Sequence, residues 1–253
     1  MIKNTMKEKL LSGRPALGVS VMIPSPQVVE MIGRLRFDWV LIDCEHGTIS
    51  LESLELMVMA AEASGITPIA RPESNEPEAI LRVMDRGAMG VQVPHVNSAG
   101  EARRAVDAVK YHPLGSRGLA VATRPACYGF GLSLAEYVEE ANRATLVCVQ
   151  LEEVEALRQI GEILEVPGVD VFFIGPSDLS QSMGLPGQSE APAVQAAMSQ
   201  AFATITAAGR VPGSAGGAKA IARYLEQGCL YAYTHFPRLV ADGAAAFMRG
   251  LGR

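Results

Sequence analysis

The chain has 253 residues, with 22 Lys and Arg against 27 Asp and Glu, a formal net charge of −5 and 49% hydrophobic residues. This hydrophobic fraction is enough for a sizeable core and argues against intrinsic disorder. The mildly acidic charge predicts no nucleic-acid partner and no membrane-surface partner. No apolar run reaches the roughly 18–20 residues that a membrane-spanning helix needs.

The N-terminal residues and the cysteines bear on the cellular compartment. Residues 1–13 contain lysines but no apolar core of a signal peptide, and their pattern predicts an amphipathic helix. Cys44, Cys127, Cys148 and Cys229 form no C-x-x-C pair. Reduced thiols in a cytoplasmic protein are therefore expected, rather than a disulfide framework or a structural zinc site.

Eight short apolar runs alternate with longer helical stretches along the chain. Their continuous hydrophobicity is typical of parallel strands that are buried on both faces. Eight strand–helix units in about 250 residues predict one (β/α)8 barrel domain over residues 1–253. A doubly wound sheet is the rival, but no glycine-rich phosphate-binding turn follows the first strand. The predicted strands are 16–22, 39–44, 67–71, 90–94, 145–151, 169–175, 210–214 and 230–235.

Local signals mark several helix ends between these strands. Gly65 is predicted to end the helix after the second strand, and Asn75 to cap the start of the next helix. Residues 95–144 form the longest interval and should hold a helix, a turn-rich segment and a second helix. An interval of this size in a compact barrel favours a functional role.

Polar residues follow the predicted strands at their C-terminal ends, which form the catalytic end of a (β/α)8 barrel. Each of them alone could cap a helix or form an ion pair, but their convergence on one rim predicts an active site. They are Asp43, Glu45 and His46 at the end of strand 2, Arg71 and Glu73 at the end of strand 3, Gln150 and Glu152 at the end of strand 5, Ser177 and Asp178 at the end of strand 6, and residues 213–217 at the end of strand 7.

Two of these residues suggest a metal site. Glu152 and Asp178 lie at the ends of adjacent predicted strands, and such a carboxylate pair suits Mg²⁺ or Mn²⁺. Capping of the following helix is the alternative role for Asp178. None of the five lysines lies on a predicted strand, from which a Schiff-base lysine would project into the barrel. A lysine-imine aldolase is therefore disfavoured, and electrophilic assistance would come from a metal or from Arg71.

The motifs at these positions resemble the metal-dependent class II pyruvate aldolases of the HpcH/HpaI family. The resemblance covers about residues 15–245 and depends on FDWVLIDCEHG, PIARP, RGAMGVQVPHVNSAGEA, YHPLGSRG, VQLE and VFFIGPSDLS taken together. It implies reversible cleavage of a 4-hydroxy-2-oxo acid to an aldehyde and pyruvate, or an analogue such as hydroxypyruvate, with Mg²⁺, Mn²⁺ or Co²⁺ as cofactor. It also implies a homohexamer, a trimer of dimers, in which the last helix is exchanged between subunits.

The resemblance implies a role for each matching residue. Glu152 and Asp178 would be the metal ligands, and Gln150 would hydrogen-bond a water or the substrate near the metal. The backbone around Ser177 would receive the carboxylate of pyruvate, while Arg71 would hold the 2-oxo oxygen.

His46 would be the base of the reaction, assisted by Asp85, according to the same resemblance. An imidazole is suited to take and return a proton near neutral pH. Asp85 lies near the end of a predicted helix rather than at a strand end, so its role depends on the resemblance. Asp43, three residues before His46, is either an alternative partner for that imidazole or a structural carboxylate of the barrel interior.

The chain departs from the family pattern at residues 111–113, 120–131 and 233–237, which we expect to touch the pocket for the aldehyde. His112 and His235 lie in these stretches and could set specificity. His95 follows the fourth strand and faces the same rim, where it is a functional residue, a supporting residue or simply an exposed one. Two other functions stay open, although the intact set of His, Arg, Glu and Asp argues against the second of them. They are a metal-dependent decarboxylase of a 2-oxo acid such as oxaloacetate, and a barrel that binds a small anion without catalysis.

Overall fold

The computed structural model describes residues 3–252 and contains eight parallel strands that close into a barrel, with β8 paired to β1. The predicted (β/α)8 architecture is confirmed. The strands are β1 (Ala16–Val21), β2 (Trp39–Asp43), β3 (Thr67–Arg71), β4 (Gly90–Val93), β5 (Leu146–Leu151), β6 (Val171–Ile174), β7 (Val211–Ala215) and β8 (Tyr231–His235).

The described helices include one before the first strand and one after the last. They are α1 (Thr5–Leu11), α2 (Pro26–Arg34), α3 (Leu51–Ala63), α4 (Pro77–Met84), α5 (Ala99–Val109), α6 (Leu134–Ala144), α7 (Val154–Arg158), α8 (Ile160–Leu164), α9 (Pro176–Ser182), α10 (Pro192–Ala207), α11 (Ala218–Glu226) and α12 (Phe236–Gly250).

Aromatic side chains fill the interior of the barrel. Trp39 stacks on Tyr231 with ring centroids 4.1 Å apart, and Phe173 stacks on Tyr233 at 5.3 Å. Gly18 makes room for the indole, because a Cβ at that position would lie 2.3 Å from the Trp39 ring. The interior is therefore a packed core, and a ligand can enter only at its ends.

Helix α1 lies across the N-terminal end of the barrel, which confirms the predicted amphipathic helix. Its apolar residues Met6 and Leu10 are buried. The side-chain amide of Asn4 donates hydrogen bonds to the carbonyl oxygens of Met89 at 3.2 Å and Ala144 at 2.9 Å. The N-terminal end is thus covered by the chain itself.

The helix ends agree with the sequence in α3 but not in α4. Ser64 is the C-cap of α3, and Gly65 follows it in the left-handed conformation with φ 75°. The prediction that Asn75 caps α4 is wrong, because Glu76 takes the cap position without a side-chain hydrogen bond. Asn75 instead donates its side-chain amide to the carbonyl oxygen of Glu101 at 3.0 Å, which ties the loop to α5.

The long interval between β4 and β5 contains the predicted helix, turns and second helix as α5, residues 110–133 and α6. Its turn-rich part lies at the N-terminal end of the barrel. Lys110 donates from Nζ to the carbonyl oxygen of Thr145 at 2.7 Å, directly before β5. Arg124 forms an ion pair with Glu62 at the C-terminal end of α3. The turn-rich part of the interval is therefore anchored at the end of the barrel opposite to the predicted active site.

All four cysteines are free, as the sequence predicted. Cys44, Cys148 and Cys229 are buried, and Cys127 is partly buried. Within residues 3–252, no helix has the length and apolar character required to cross a membrane.

Candidate active site

A cleft of about 840 Å³ opens at the C-terminal end of the barrel. Its lining includes His46, Arg71, Gln150, Ser177 and Asp178, which the sequence had singled out. They are carried by β2, β3, β5 and β6 or by the turns that follow these strands. The closed parallel barrel brings them together because all its strands end on the same side.

Arg71 is the last residue of β3 and is only 5% exposed. Its Nε donates to Oδ1 of Asp43 at 2.9 Å and its Nη2 donates to Oδ2 of the same carboxylate. Among residues 3–252, no side chain or carbonyl accepts a hydrogen bond from Nη1, so this edge can meet a ligand. Burial alone would lower the pKa of Arg71, but the hydrogen-bonded Asp43 and nearby Glu45 raise it above its usual range. The guanidinium therefore stays charged.

Asp43 holds the loop after β2 as well as Arg71. Its Oδ1 accepts the backbone N–H groups of Glu45 and His46, each at 3.2 Å. The carboxylate is fully buried and contacts the backbone of His46 rather than its ring. Of the two roles open for Asp43, the geometry favours the structural one, in which it fixes the guanidinium and the loop.

Glu45 is the carboxylate nearest to the imidazole of His46, and the sequence had assigned it no role. His46 Nε2 lies 3.6 Å from Glu45 Oε2, and the His46 side chain is 56% exposed in the cleft. The same Oε2 lies 3.1 Å from Arg71 Nε, and Glu45 Oε1 lies 3.5 Å from His95 Nε2. The sequence placed Glu45 at the catalytic end of the barrel, but it gave no signal for this contact with the imidazole.

Glu152 is 1% exposed and lies directly beneath the cleft. Its Oε2 accepts a hydrogen bond from the Gln150 side chain, and its Oε1 accepts the backbone N–H of His95 at 2.9 Å. Burial raises the pKa of Glu152 to about 7, and the nearby charge of Asp178 adds to the rise. A Cβ at Gly175 would lie 3.0 Å from Oε2, so the glycine leaves this oxygen accessible.

A directional chain of hydrogen bonds supports Glu152 from inside the barrel. The Tyr231 hydroxyl donates to Gln92 Oε1 at 3.2 Å, and Gln92 Nε2 donates to Gln150 Oε1 at 2.6 Å. Gln150 then donates its Nε2 to Glu152. Because the hydroxyl and the carboxylate stand at the two ends, both amide orientations are fixed. The sequence missed Gln92 and Tyr231 because both lie in strands and read as core.

The imidazole of His95 lies close to three carboxylates at the rim. Its Nδ1 lies 3.3 Å from Glu152 Oε1 and 3.2 Å from Glu153 Oε1, while its Nε2 approaches Glu45. Partial burial would lower the pKa of His95, but the carboxylates together raise it. The residue adopts the left-handed backbone conformation with φ 53°, which is uncommon outside glycine. Of the roles open for His95, the contacts favour a supporting one.

Asp85 is not brought near His46 within one chain. It is the C-cap of α4, and its carboxylate accepts a hydrogen bond from Arg117 Nη2 at 2.7 Å. Helix α4 leads from the catalytic end back toward the start of β4, so its last residue lies at the N-terminal end of the barrel. Within one chain, the residues at strand ends converge on the cleft, whereas Asp85, at the end of a helix, lies away from it.

The three stretches that depart from the family pattern also separate. Residues 233–237 reach the cleft, which Tyr233 and His235 line. Residues 111–113 and 120–131 belong to the interval anchored at the opposite end of the barrel. We expected all three stretches to touch the aldehyde pocket. Within one chain, only residues 233–237 reach the cleft.

The residues beneath the cleft fit a hard divalent cation. Within the described part of the chain, no group of three or more His, Cys, Asp or Glu side chains is arranged as a metal site. Glu152 and Asp178 nevertheless offer carboxylate oxygens, and the raised pKa of Glu152 reflects a buried carboxylate that a cation would stabilise. Two protein ligands leave the remaining positions to water and substrate, as is common for Mg²⁺.

A model of the HpcH/HpaI aldolase/citrate lyase family matches residues 18–246. The chain belongs to this family. Among the relatives of this chain, a 4-hydroxy-2-oxo-heptane-1,7-dioate aldolase of Salmonella arizonae is 38% identical over 253 residues, covering 99% of this chain and 95% of that protein. These matches confirm the prediction that the chain is a carbon–carbon lyase of this family.

Solved structures of similar proteins agree with the fold. A family protein from Burkholderia cenocepacia J2315 has a TM-score of 0.91 at 27% identity, with 99% of this chain and 100% of that chain covered. The citrate synthase SbnG has a TM-score of 0.84 at 30% identity, with 99% of both chains covered. These relatives are named for different reactions, so their names alone do not identify the substrate of this chain. The residues that line its own cleft must be used for that purpose.

Proposed function

We propose that this HpcH/HpaI chain catalyses the divalent-cation-dependent, reversible cleavage of a 4-hydroxy-2-oxo acid to an aldehyde and pyruvate, or a pyruvate analogue. The observation that carries the proposal is Arg71, which Asp43 fixes on the same rim as Glu152 and Asp178. Cleavage leaves the enolate of a 2-oxo acid, and preorganised positive groups at its oxygen lower the barrier. The 38% identical heptanedioate aldolase supports this choice of reaction.

The cofactor of the proposed reaction is Mg²⁺, Mn²⁺ or Co²⁺, held by Glu152 and Asp178. Gln150 fixes the side chain of Glu152, and Gly175 leaves space beside it. A divalent cation supplies Lewis-acid stabilisation of the enolate.

The 2-oxo acid is oriented by Arg71 and by the first turn of α9. The free Nη1 edge of Arg71 donates to the 2-oxo oxygen, and this hydrogen bond strengthens as negative charge develops. Helix α9 begins at Pro176, so the backbone N–H groups of Ser177 and Asp178 have no partner within the helix. They are available to the carboxylate of pyruvate.

His46 takes the proton from the C4 hydroxyl. The C3–C4 bond then breaks, the aldehyde carbonyl forms, and the bonding electron pair remains on the pyruvate fragment as an enolate. Return of a proton to C3 completes pyruvate. Glu45 is the carboxylate beside His46 in this chain, and the assisting role of Asp85 stays a prediction.

The proposed enzyme is a cytoplasmic homo-oligomer, with the hexamer of its family as the expected form. Helix α12 has no fully buried side chain, and Phe247 is 69% exposed beside Val240, Met248 and Leu251. A second copy that covers this apolar surface would stabilise it, which supports exchange of the last helix between subunits. Free cysteines support a reducing compartment.

Removal of divalent cations tests the proposal. EDTA should abolish release of pyruvate from a 4-hydroxy-2-oxo acid, and Mg²⁺, Mn²⁺ or Co²⁺ should restore it, because the carboxylate pair needs a cation to act on the enolate. Borohydride added with pyruvate should leave the protein mass unchanged, since no lysine lies on a barrel strand. Chromatography measures the release of pyruvate, and mass spectrometry of the intact protein detects any covalent adduct. Full activity in EDTA, or a trapped pyruvyl-lysine adduct, would overturn the proposal.

A further inference from the structure

The cleft continues past the proposed pyruvate position to the start of α11 and α12. Three basic side chains line this far end, Lys219, Arg223 and Arg238, together with the acidic residues Glu190 and Asp242. Arg223 is already engaged, because its Nη2 lies 3.0 Å from Glu190 Oε2 and its guanidinium covers a tyrosine ring. Lys219 and Arg238 have no such partner among residues 3–252.

Arg238 lies in the first turn of α12, and its guanidinium is placed over Gly217. A Cβ at Gly217 would lie 2.8 Å from Nη1 and 3.6 Å from Cζ of Arg238, so the glycine makes this position accessible to the guanidinium. Among residues 3–252, no carboxylate forms an ion pair with Arg238 and no group accepts a hydrogen bond from it. The side chain thus presents an unused planar cation to the cleft.

His235 connects this cation to the pyruvate end of the cleft. It is the last residue of β8, and its ring packs edge-on against Tyr233 at 5.6 Å. Burial lowers the pKa of His235, and the charges of Arg71 and Arg238 lower it further. These effects outweigh the opposing charge of Asp43 and favour the neutral imidazole, which lies within the electrostatic reach of both arginines. A substrate that extends from Arg71 to Arg238 would pass this ring.

We propose that Arg238 binds a second anionic group, a carboxylate or a phosphate, on the aldehyde part of the substrate and so selects acidic aldehydes. This inference depends on the proposed aldol function. A 2-oxo acid already places its own carboxylate at the pyruvate end, so an anion at the far end must belong to the other fragment. A guanidinium is suited to either group, because its parallel N–H donors match two oxygens.

The test is the ratio of kcat/KM for an acidic aldehyde to that for a neutral aldehyde of equal length, both condensed with pyruvate. Succinic semialdehyde is compared with butanal, and glyceraldehyde 3-phosphate with glyceraldehyde, which separates carboxylate from phosphate. Arg238→Gln should lower one or both ratios about 10- to 100-fold, the size of a lost hydrogen bond to a charged group. Arg238→Lys should recover part of the loss, since it keeps the charge but not the fork.

A loss of folded enzyme lowers the measured kcat/KM for the acidic and for the neutral aldehyde equally. The ratio of the two values is therefore insensitive to misfolding. Arg249→Gln is the matched control, since it removes an exposed arginine from the last turn of the same helix. An unchanged ratio in Arg238→Gln, or no preference of the wild type for either acidic aldehyde, would overturn the inference alone. Absence of condensation with all four aldehydes would instead overturn the proposed function and this inference with it.

Discussion

His46→Ala should lower the rate of aldol cleavage about 10²- to 10⁴-fold, the usual contribution of a general base. The side chain is more than half exposed in the cleft, so its removal should leave the free energy of unfolding nearly unchanged. Arg71 and the carboxylate pair would remain. Decarboxylation of oxaloacetate should therefore survive in part, because this reaction requires no removal of a C4 hydroxyl proton.

Three measurements on His46→Ala separate a base from a metal ligand. They are aldol cleavage, oxaloacetate decarboxylation and Mn²⁺ affinity by electron paramagnetic resonance. Selective loss of cleavage is expected, and His112→Ala, which removes an exposed histidine from the opposite end of the barrel, should change none of the three. An equal loss of all three in His46→Ala would rule out the general-base role.

Removal of Arg71 should lower kcat about 10²- to 10³-fold, because a preorganised donor to the developing enolate is lost. The variant should also be less stable than the wild type. The structure adds a cost, since Arg71→Ala leaves the fully buried Asp43 carboxylate without its cation. Breaking a buried ion pair typically costs about 3–5 kcal/mol of unfolding free energy.

Two variants separate this stability effect from catalysis. Arg71→Lys keeps a charge for Asp43 but loses the planar fork, so it should fold and yet recover little of kcat. Arg71→Ala combined with Asp43→Asn removes the unpaired charge as well and should unfold at higher temperature than Arg71→Ala alone. Calorimetry and steady-state kinetics measure both effects. A near-normal kcat in either variant would remove Arg71 from the mechanism.

The barrel was predictable because a fully buried parallel strand is apolar along its whole length. β2, for example, has every residue buried, and the sequence predicted it as 39–44 against Trp39–Asp43 in the structure. Strand ends were less certain. The sequence predicted β6 as 169–175, but its pairing with β5 and β7 covers only Val171–Ile174, because an apolar run does not reveal where pairing stops.

The site was predictable where it depends on strand ends and unpredictable where it depends on side-chain orientation. Arg71 and Gln150 fall on the cleft because parallel strands end on one side. The contact of Glu45 with His46 requires a particular loop conformation, which no spacing rule encodes. The amide of Gln92 joins the site through a hydrogen bond across neighbouring strands, so only the folded barrel reveals it.

Exchange of the methyl protons of pyruvate with D₂O, followed by proton NMR, tests the central claim most directly, because it detects the enolate without any aldehyde. The wild-type protein should catalyse exchange with Mg²⁺ or Mn²⁺, should lose it in EDTA, and should lose most of it in Glu152→Gln with either ion. Absence of exchange with every divalent cation, or exchange that persists unchanged in EDTA, would contradict a cation-dependent pyruvate enolate in this barrel.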